Sequence, residues 1–354
     1  MSSLLRPDPV PRDADILEIN GNARYRQVEE WLGQGRRLCI TDTYGTALTL
    51  YSWLKRQLRR RSPVRDYRSS RLYREMFWRL TRPLLVPIAD HRISLRKAPP
   101  IPWLERLYPE QRDFLLPLAD LLGLNGAWQW YERGVRYPIL DHPMHPYYGV
   151  YFSTRSEHLE QFDAWLAERE GTFSTAADIG AGIGALTFLL IKRGLSRVHA
   201  TDTSPNAVRS VEEDLDRLDL RDRVTLERAD LFGSCPPVDL IAFNPPWLPG
   251  EQHVPVDAGS YYAADLFPRF FATAAEHLKP EGRLLLLFSN FAELAELTDH
   301  NPIARELEEG GRFQLIDRRE RPVGPPSRRR GQDWLHALRQ KEKVQLWELA
   351  RNPN

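Results

Sequence analysis

The sequence predicts an α/β fold whose second half is a mainly parallel sheet covered by helices on both faces. Three observations predict it. From residue 175 onwards, strand-length apolar segments alternate with amphipathic segments of helical length. The apolar segments are rich in Leu, Ile and Val with few charges, as doubly covered strands are. A glycine-rich turn follows the first of them. The length of 354 residues suggests two domains, or one with a large extension.

The periodic half contains seven predicted strands and four predicted helices. The strands are 175–179, 197–202, 223–228, 238–243, 283–289, 313–317 and 343–350. The helices are 184–193, 205–218, 263–279 and 291–309. We expect the last two strands to form a closing antiparallel hairpin. Because strand 313–317 should run parallel to the others, its exit loop, 318–342, is expected at the edge where ligands bind.

The first half has a less regular pattern and is predicted to be mainly helical. Helices are expected over 23–33, from residue 46 onwards and over 103–124, with one strand over 37–41. Residues 127–140 predict two strands joined by a turn at Glu132-Arg133-Gly134, before a helix over 156–169. The predicted domains are a mainly helical basic domain (1–125), a connecting hairpin and helix (126–170) and the sheet domain (171–354).

Charge is distributed unevenly along the chain, although the net charge is only +1. Residues 1–150 carry 24 Lys/Arg against 16 Asp/Glu, and the remainder carries 25 against 32. The segment 55–82 mixes arginines with Tyr67, Tyr73, Phe77 and Trp78. Such a segment could bind nucleic-acid phosphates and stack on bases, or it could be a helical subdomain with a solvated Arg face. Both interpretations stay open.

Composition excludes several other classes. No run of 18 apolar residues is present, so no membrane span is expected, and the first residues lack the apolar core of a signal peptide. Only Cys39 and Cys235 occur, which fits a reducing compartment, and we expect a cytoplasmic protein. His142 and His145 lie among prolines without a further ligand nearby, so a loop role is favoured and no metal site is predicted.

A glycine-rich turn follows the first strand of the periodic half. Asp178 is followed by Gly180, Gly182 and Gly184, and then by an amphipathic helix. Glycines there permit a tight turn and a close approach by a nucleotide-like ligand. Asp202 ends the next strand, where an acid can bind ribose hydroxyls. With an Ala at position 185, the turn also fits the dinucleotide fingerprint, so an NAD-dependent oxidoreductase is an alternative.

The sequence Asn244-Pro245-Pro246-Trp247 directly follows the predicted strand 238–243. The Asn244 side-chain oxygen can accept one hydrogen bond from an amine, and the Pro245 carbonyl can accept another. Trp247 offers a face for stacking. Together these residues predict a rigid slot for a flat group that carries an NH2.

These motifs resemble the class I S-adenosylmethionine-dependent methyltransferases of the Asn-Pro-Pro-aromatic, amino-methylating type, over about residues 145–354. The resemblance is greatest to enzymes that methylate glutamine N5 or the exocyclic amines of adenine or guanine, which usually carry Tyr or Phe where this chain has Trp247. It implies a seven-stranded Rossmann-like domain with S-adenosylmethionine as cofactor. The residues that it implies for cofactor binding are Asp178, Gly180, Gly182, Gly184, Asp202, Asp230, Leu231 and Asn244. The catalytic residues that it implies are Asn244, Pro245, Pro246 and Trp247.

The predicted function is N-methylation of a planar amide or exocyclic amine, in a protein glutamine or a nucleic-acid base. The resemblance implies that Tyr148 and Tyr151 help to close the donor pocket, and the alternative that they are core aromatic residues stays open. Arg328, Arg329 and Arg330, in the loop 318–342, could bind an anionic substrate. The alternatives are methylation of a small metabolite and a non-catalytic nucleic-acid-binding protein on the same scaffold.

Overall fold

The computed structural model describes residues 4–12, 15–250, 259–324 and 334–353. It contains two compact units, one from Leu4 to Gln129 and one that begins at Trp130. Among the described helices, none has both the length and the apolar character needed to cross a membrane.

The first unit combines helices with a five-stranded sheet. Its elements are β1 (Leu17–Ile19), α1 (Tyr25–Gly33), β2 (Leu38–Ile40), α2 (Tyr44–Arg61), α3 (Tyr67–Thr81), β3 (Leu84–Ala89), β4 (Arg92–Ile93), α4 (Trp103–Leu107), β5 (Phe114–Pro117) and the larger part of α5 (Leu118–Arg133). The strand order is β1-β2-β3-β4, with β5 also paired to β3. The pairs β1–β2 and β2–β3 are parallel, and β4 and β5 run antiparallel to β3.

Several predictions for this region are wrong. The helix expected over 103–124 is divided into α4, β5 and α5, because Pro109 follows α4 closely and disfavours its continuation. The first half of the hairpin expected over 127–140 is instead the end of α5, which stops at Arg133. Gly134 has φ +71 and its N–H donates to the Trp130 carbonyl, so this glycine ends a helix. The sheet itself, apart from β2, was not predicted.

The second unit contains the remaining elements. They are α6 (Glu157–Ala167), β6 (Thr175–Ile179), α7 (Ala185–Lys192), β7 (Arg197–Asp202), α8 (Pro205–Leu218), a 3-10 turn (Arg221–Arg223), β8 (Val224–Arg228), β9 (Val238–Phe243), β10 (Leu248–Pro249), β11 (Tyr261–Tyr262), α9 (Leu266–His277), β12 (Leu278–Ser289), α10 (Phe291–Leu294), α11 (Pro302–Arg305), a π-helical turn (Glu306–Gly310), β13 (Phe313–Pro322), α12 (Trp334–Arg339) and β14 (Lys343–Arg351).

Seven of these strands form one sheet in the order β13-β14-β12-β9-β6-β7-β8. All neighbouring pairs are parallel except those that involve β14, so β13 runs in the direction of the parallel strands. The predicted α/β sheet and its closing hairpin are confirmed. The predicted helix 291–309 is interrupted, because Pro302 begins a new helix that Asn301 caps with two side-chain hydrogen bonds.

An aromatic core lies under the carboxyl end of β9. Phe243, the last residue of β9, is buried, and its ring centroid lies 4.4 Å from that of Phe270 on α9. The same cluster includes Phe232, Phe267, Phe271 and Phe288. Each fully buried ring of this kind stabilises the fold by roughly 1.5–3 kcal/mol. The packing of Phe243 therefore fixes the position of the backbone at which the residues after β9 begin.

Candidate active site

Three strand ends meet at one edge of the large sheet. The central strand β6 lies between β7 and β9, and Ile179 pairs with Thr201 on one side and Phe243 on the other. The next residues along these strands are Gly180, Asp202 and Asn244. Because neighbouring strands lie about 4.8 Å apart, the glycine turn, the acid and the Asn-Pro-Pro-Trp segment are side by side.

The glycine turn needs residues without side chains. Gly180, Gly182 and Gly184 have φ values of 65°, 55° and 90°. A β-carbon on Gly184 would lie 3.0 Å from both the Phe188 ring and Val211, so α7 and α8 could not approach as closely. A β-carbon on Gly182 would lie 3.4 Å from the Tyr151 carbonyl oxygen. The turn is therefore both left-handed and tightly packed.

Asp202 links the glycine turn to the end of β7. Its Oδ2 accepts a hydrogen bond from the Gly182 N–H at 2.8 Å, and its Oδ1 accepts one from the Ser204 N–H at 2.8 Å. Burial raises the pKa of this carboxyl, while the two N–H donors act in the opposite direction. The Asp202 side chain thus holds the shape of the glycine turn.

Asp178 is 1% exposed and lies at the end of β6. Its Oδ2 accepts a hydrogen bond from the Thr187 hydroxyl at 2.6 Å. Burial raises the pKa of Asp178 to about 7, although this hydrogen bond lowers it. Thr187 is not among the site residues predicted from the sequence. The available signal was a hydroxyl residue in the otherwise apolar stretch Ala185–Ile191.

Asp230 and Leu231 follow β8 on the same edge of the sheet. The Asp230 carboxylate accepts a hydrogen bond from Arg269 of α9 at 2.5 Å, and both side chains are about half exposed. Leu231 has φ +50, and its carbonyl accepts a hydrogen bond from the Thr201 hydroxyl. Arg269 was not predicted as a partner, since it lies 39 positions further along the chain.

The Asn-Pro-Pro-Trp segment forms an internal hydrogen bond. The Trp247 indole N–H donates to Asn244 Oδ1 at 3.1 Å and to the Leu287 carbonyl of β12 at 3.3 Å. Pro245 is buried. The rings of Trp247 and His158 of α6 lie nearly perpendicular, with a centroid distance of 5.5 Å and an interplanar angle of 86°. His158 is 2% exposed, and burial lowers its pKa to about 4, so it is neutral near pH 7.

The two predicted tyrosines have different surroundings. Tyr148 is buried, and its carbonyl accepts a hydrogen bond from Asn206 Nδ2 at 2.6 Å. Tyr151 is 43% exposed and lies between Gly182 and Gly259, where a β-carbon on Gly259 would come within 2.3 Å of the Tyr151 β-carbon. Tyr151 therefore contacts the glycine turn, whereas Tyr148 packs against α8. Arg328, Arg329 and Arg330 lie outside the described residues.

A protein-family model matches part of the chain. The model of the methyltransferase small domain matches residues 163–317. The resemblance inferred from the sequence is thereby confirmed. The matched segment includes the glycine turn, Asp202, Asp230 and the Asn-Pro-Pro-Trp segment.

Two relatives are similar to part of this chain. A release factor glutamine methyltransferase of Rhodopirellula baltica is 30% identical over 164 residues, which are 45% of this chain and 48% of the relative. A Methanocaldococcus jannaschii protein named as an N5-glutamine methyltransferase is 24% identical over 147 residues, covering 39% of this chain and 74% of the relative. The chain thus spans about half the length of the first relative.

Among solved structures, a ribosomal protein L11 methylase of Lactobacillus delbrueckii aligns with 63% of this chain and 93% of its own. The sequence identity is 19% and the TM-score is 0.40.

Proposed function

We propose that this protein is an S-adenosylmethionine-dependent N-methyltransferase that acts on a planar amide or exocyclic amine. One observation carries the proposal. The Asn-Pro-Pro-Trp segment follows β9, the strand directly beside β6, whose end begins the glycine turn. The proposed binding sites for the amine and for the methyl donor therefore lie at the same edge of the sheet.

The residues around the glycine turn fit the methyl donor. Positive φ at Gly180 and Gly182 leaves backbone open to a ligand that side chains would exclude. We assign Asp178 to the cationic amino-acid end of the donor, Asp202 to its ribose hydroxyls, and Asp230 with Leu231 to its adenine. When bound, the donor supplies an electrophilic methyl group on a positively charged sulfur. The family match favours this cofactor over a dinucleotide.

Asn244 orients the acceptor nitrogen. Its side-chain oxygen has two acceptor positions, and Trp247 fills one of them. The second is available to an N–H of the substrate, and the Pro245 carbonyl is assigned to the other N–H. The two hydrogen bonds favour a pyramidal nitrogen and stabilise the positive charge that develops on it. Because the donor is already activated, orientation is the main contribution of the protein, and we assign no strong general base.

The acceptor is a protein glutamine or a nucleic-acid base. The named activities of the two relatives support glutamine, and the basic segment 55–82 supports nucleic acid. We expect that incubation of the protein with labelled donor and with separated RNA, protein and metabolite fractions of a cell extract will place the label in the RNA or protein fraction. Labelling of metabolites alone would contradict both acceptors.

The Asn244→Ala variant tests the mechanism on whichever fraction accepts the label. We expect its turnover to fall about 10²- to 10³-fold, as on loss of one oriented partner of the transition state. Donor affinity, measured by calorimetry, should stay close to that of the unmodified protein. Asn22→Ala, at an exposed position of the first unit, is the matched control. Unchanged turnover in Asn244→Ala would remove Asn244 from the mechanism.

A further inference from the structure

Residues 55–82 form a strongly basic surface, which we call the basic surface; they comprise the end of α2, the connecting residues 62–66, all of α3 and Arg82. Residues 55–82 contain eleven Lys and Arg and only two acids, Asp66 and Glu75. Most of these cations are solvent-exposed. The exposed ones are Lys55, Arg56, Arg59, Arg60, Arg61, Arg65, Arg68, Arg74, Arg79 and Arg82. An excess of nine positive charges over 28 residues creates a field that attracts polyanions.

Internal ion pairs neutralise little of this charge. Arg61 pairs with Glu29 at 2.9 Å, and Arg79 pairs with Glu75 at 2.6 Å. In the described part of the chain, the side chains of Arg56, Arg60 and Arg65 form no ion pair. The acidic second unit differs, because the exposed arginines of α8 and of the turn after it are paired with acids of the same helix. The basic surface is therefore arranged to meet an external anion.

Apolar side chains are exposed within the basic surface. Leu72 is 57% and Met76 is 37% exposed, and they continue a stripe along α3 that begins at Arg68 and ends at Arg79. The spacing of four, four and three residues places all four on one helical face. Directly after α3, Arg82 stacks on the Trp78 ring of that helix, with its guanidinium carbon 4.6 Å from the ring centroid. Charge alone would not require exposed Leu and Met.

We propose that the basic surface binds single-stranded RNA. Ten of the eleven cations are Arg, whose planar guanidinium donates two parallel hydrogen bonds to a phosphate. Exposed apolar groups between the arginines fit the faces of unpaired bases, which a duplex keeps inside its stack. RNA is chosen over DNA because cellular DNA is mainly base-paired. The binding needs no methyl transfer. A further step, in which the bound RNA provides the acceptor for methylation, rests on the proposed function.

The test measures binding of the full-length protein to a fluorescent unstructured RNA of about 20 nucleotides, long enough to cover one site. The triple variant Arg56→Gln, Arg60→Gln, Arg65→Gln removes three exposed charges. The control Arg36→Gln, Arg92→Gln, Arg136→Gln removes the same charge from exposed positions elsewhere. We expect the first to weaken binding at least about tenfold, and its plot of log K against log salt to become shallower by about 2, whereas the control changes neither. The double variant Leu72→Ala, Met76→Ala should weaken binding without changing the slope.

Equal loss of affinity in both triple variants would show that only net charge matters, and would overturn the proposal. Preference for duplex over single-stranded RNA, or equal competition by polyglutamate, would also overturn it. The assay contains no methyl donor, and Asn244→Ala should bind RNA normally. Loss of methyl transfer with retained RNA binding would therefore count against the proposed function alone.

Discussion

The indole of Trp247 supplies an N–H donor. Of the residues usual at this position, Phe has no donor and Tyr has a hydroxyl at a different place on its ring. The indole N–H reaches both Asn244 Oδ1 and the Leu287 carbonyl. It therefore fixes the orientation of the Asn244 amide. The motif could be predicted from the sequence, but the hydrogen bond to Leu287 could not, because Leu287 lies on a strand 40 positions away.

We predict that Trp247→Phe keeps an aromatic ring but lowers turnover about fivefold, since the Asn244 amide loses its fixed orientation and one hydrogen bond of about 1 kcal/mol. The KM for the methyl donor should change little. Steady-state kinetics measure both quantities. A variant with normal kcat and a raised donor KM would contradict this role for Trp247.

Asp178 predicts a pH dependence of donor binding. Its pKa of about 7 means that the carboxyl becomes neutral as the pH falls below 7. Since a cationic amino group binds the charged form, donor affinity should fall by up to about tenfold per pH unit below pH 7 and stay constant above it. Titration calorimetry between pH 5.5 and 8.5 measures this. Asp178→Asn should bind weakly with a flatter profile, and an unchanged slope in that variant would exclude Asp178 as the titrating group.

The raised pKa of Asp178 also makes the stability of the fold depend on pH, and stability falls over the pH range in which donor affinity rises. A carboxyl whose folded-state pKa lies above its unfolded value stabilises the folded state at low pH. That contribution is lost as the pH rises from about 4 to about 7. If Asp178 binds the donor as proposed, the charged form that binds is therefore also the form that reduces stability near neutral pH.

At the level of elements, the start of α7 depends on Gly184. We predict that Gly184→Ala destabilises the protein in two ways: strain at φ +90, about 1–2 kcal/mol, and overpacking against Phe188 and Val211, about 1–3 kcal/mol. Gly194→Ala is the matched control, because Gly194 has the same φ but nothing within 4 Å of an added β-carbon. Thermal unfolding measures both variants. Equal losses of stability would mean that the close packing of Gly184 contributes nothing.

Element boundaries show where the sequence pattern was sufficient. Helix α8 begins and ends at Pro205 and Leu218, as expected, because Ser204 and Pro205 are a cap and first-turn pair. The hairpin predicted over 127–140 failed because the aromatic residues near Trp130 have β-propensity and Gly134 occurs in turns and helix ends alike. Only the helical hydrogen bond from Gly134 to Trp130 decides between them.

For the whole molecule, the large sheet could be predicted and the small one could not. The large sheet has strands of five or more residues with regular helical segments between most of them, so periodicity identifies them. In the first unit, β1 and β2 have three residues each, and β3 contains Pro87, which argues against a strand. Too little alternation is present in such strands to be recognised.

The two compact units predict two thermal transitions in calorimetry. Addition of S-adenosylhomocysteine at about 100 times its Kd should stabilise the unit that begins at Trp130 by about 2.7 kcal/mol and leave the other transition in place. Asp202→Ala should abolish the shift. If both transitions moved together, the units would not be thermodynamically independent.

The ion pair between Arg269 and Asp230 has a consequence for cofactor exchange. If Asp230 receives the adenine amine, an incoming nucleoside competes with a guanidinium for the same carboxylate. Ions in solution screen this half-exposed pair, so moderate salt lowers the cost of that competition. Binding of the donor at the sheet edge would then tolerate ionic conditions that release RNA from the basic surface, and a simple change of ionic strength would separate the two events.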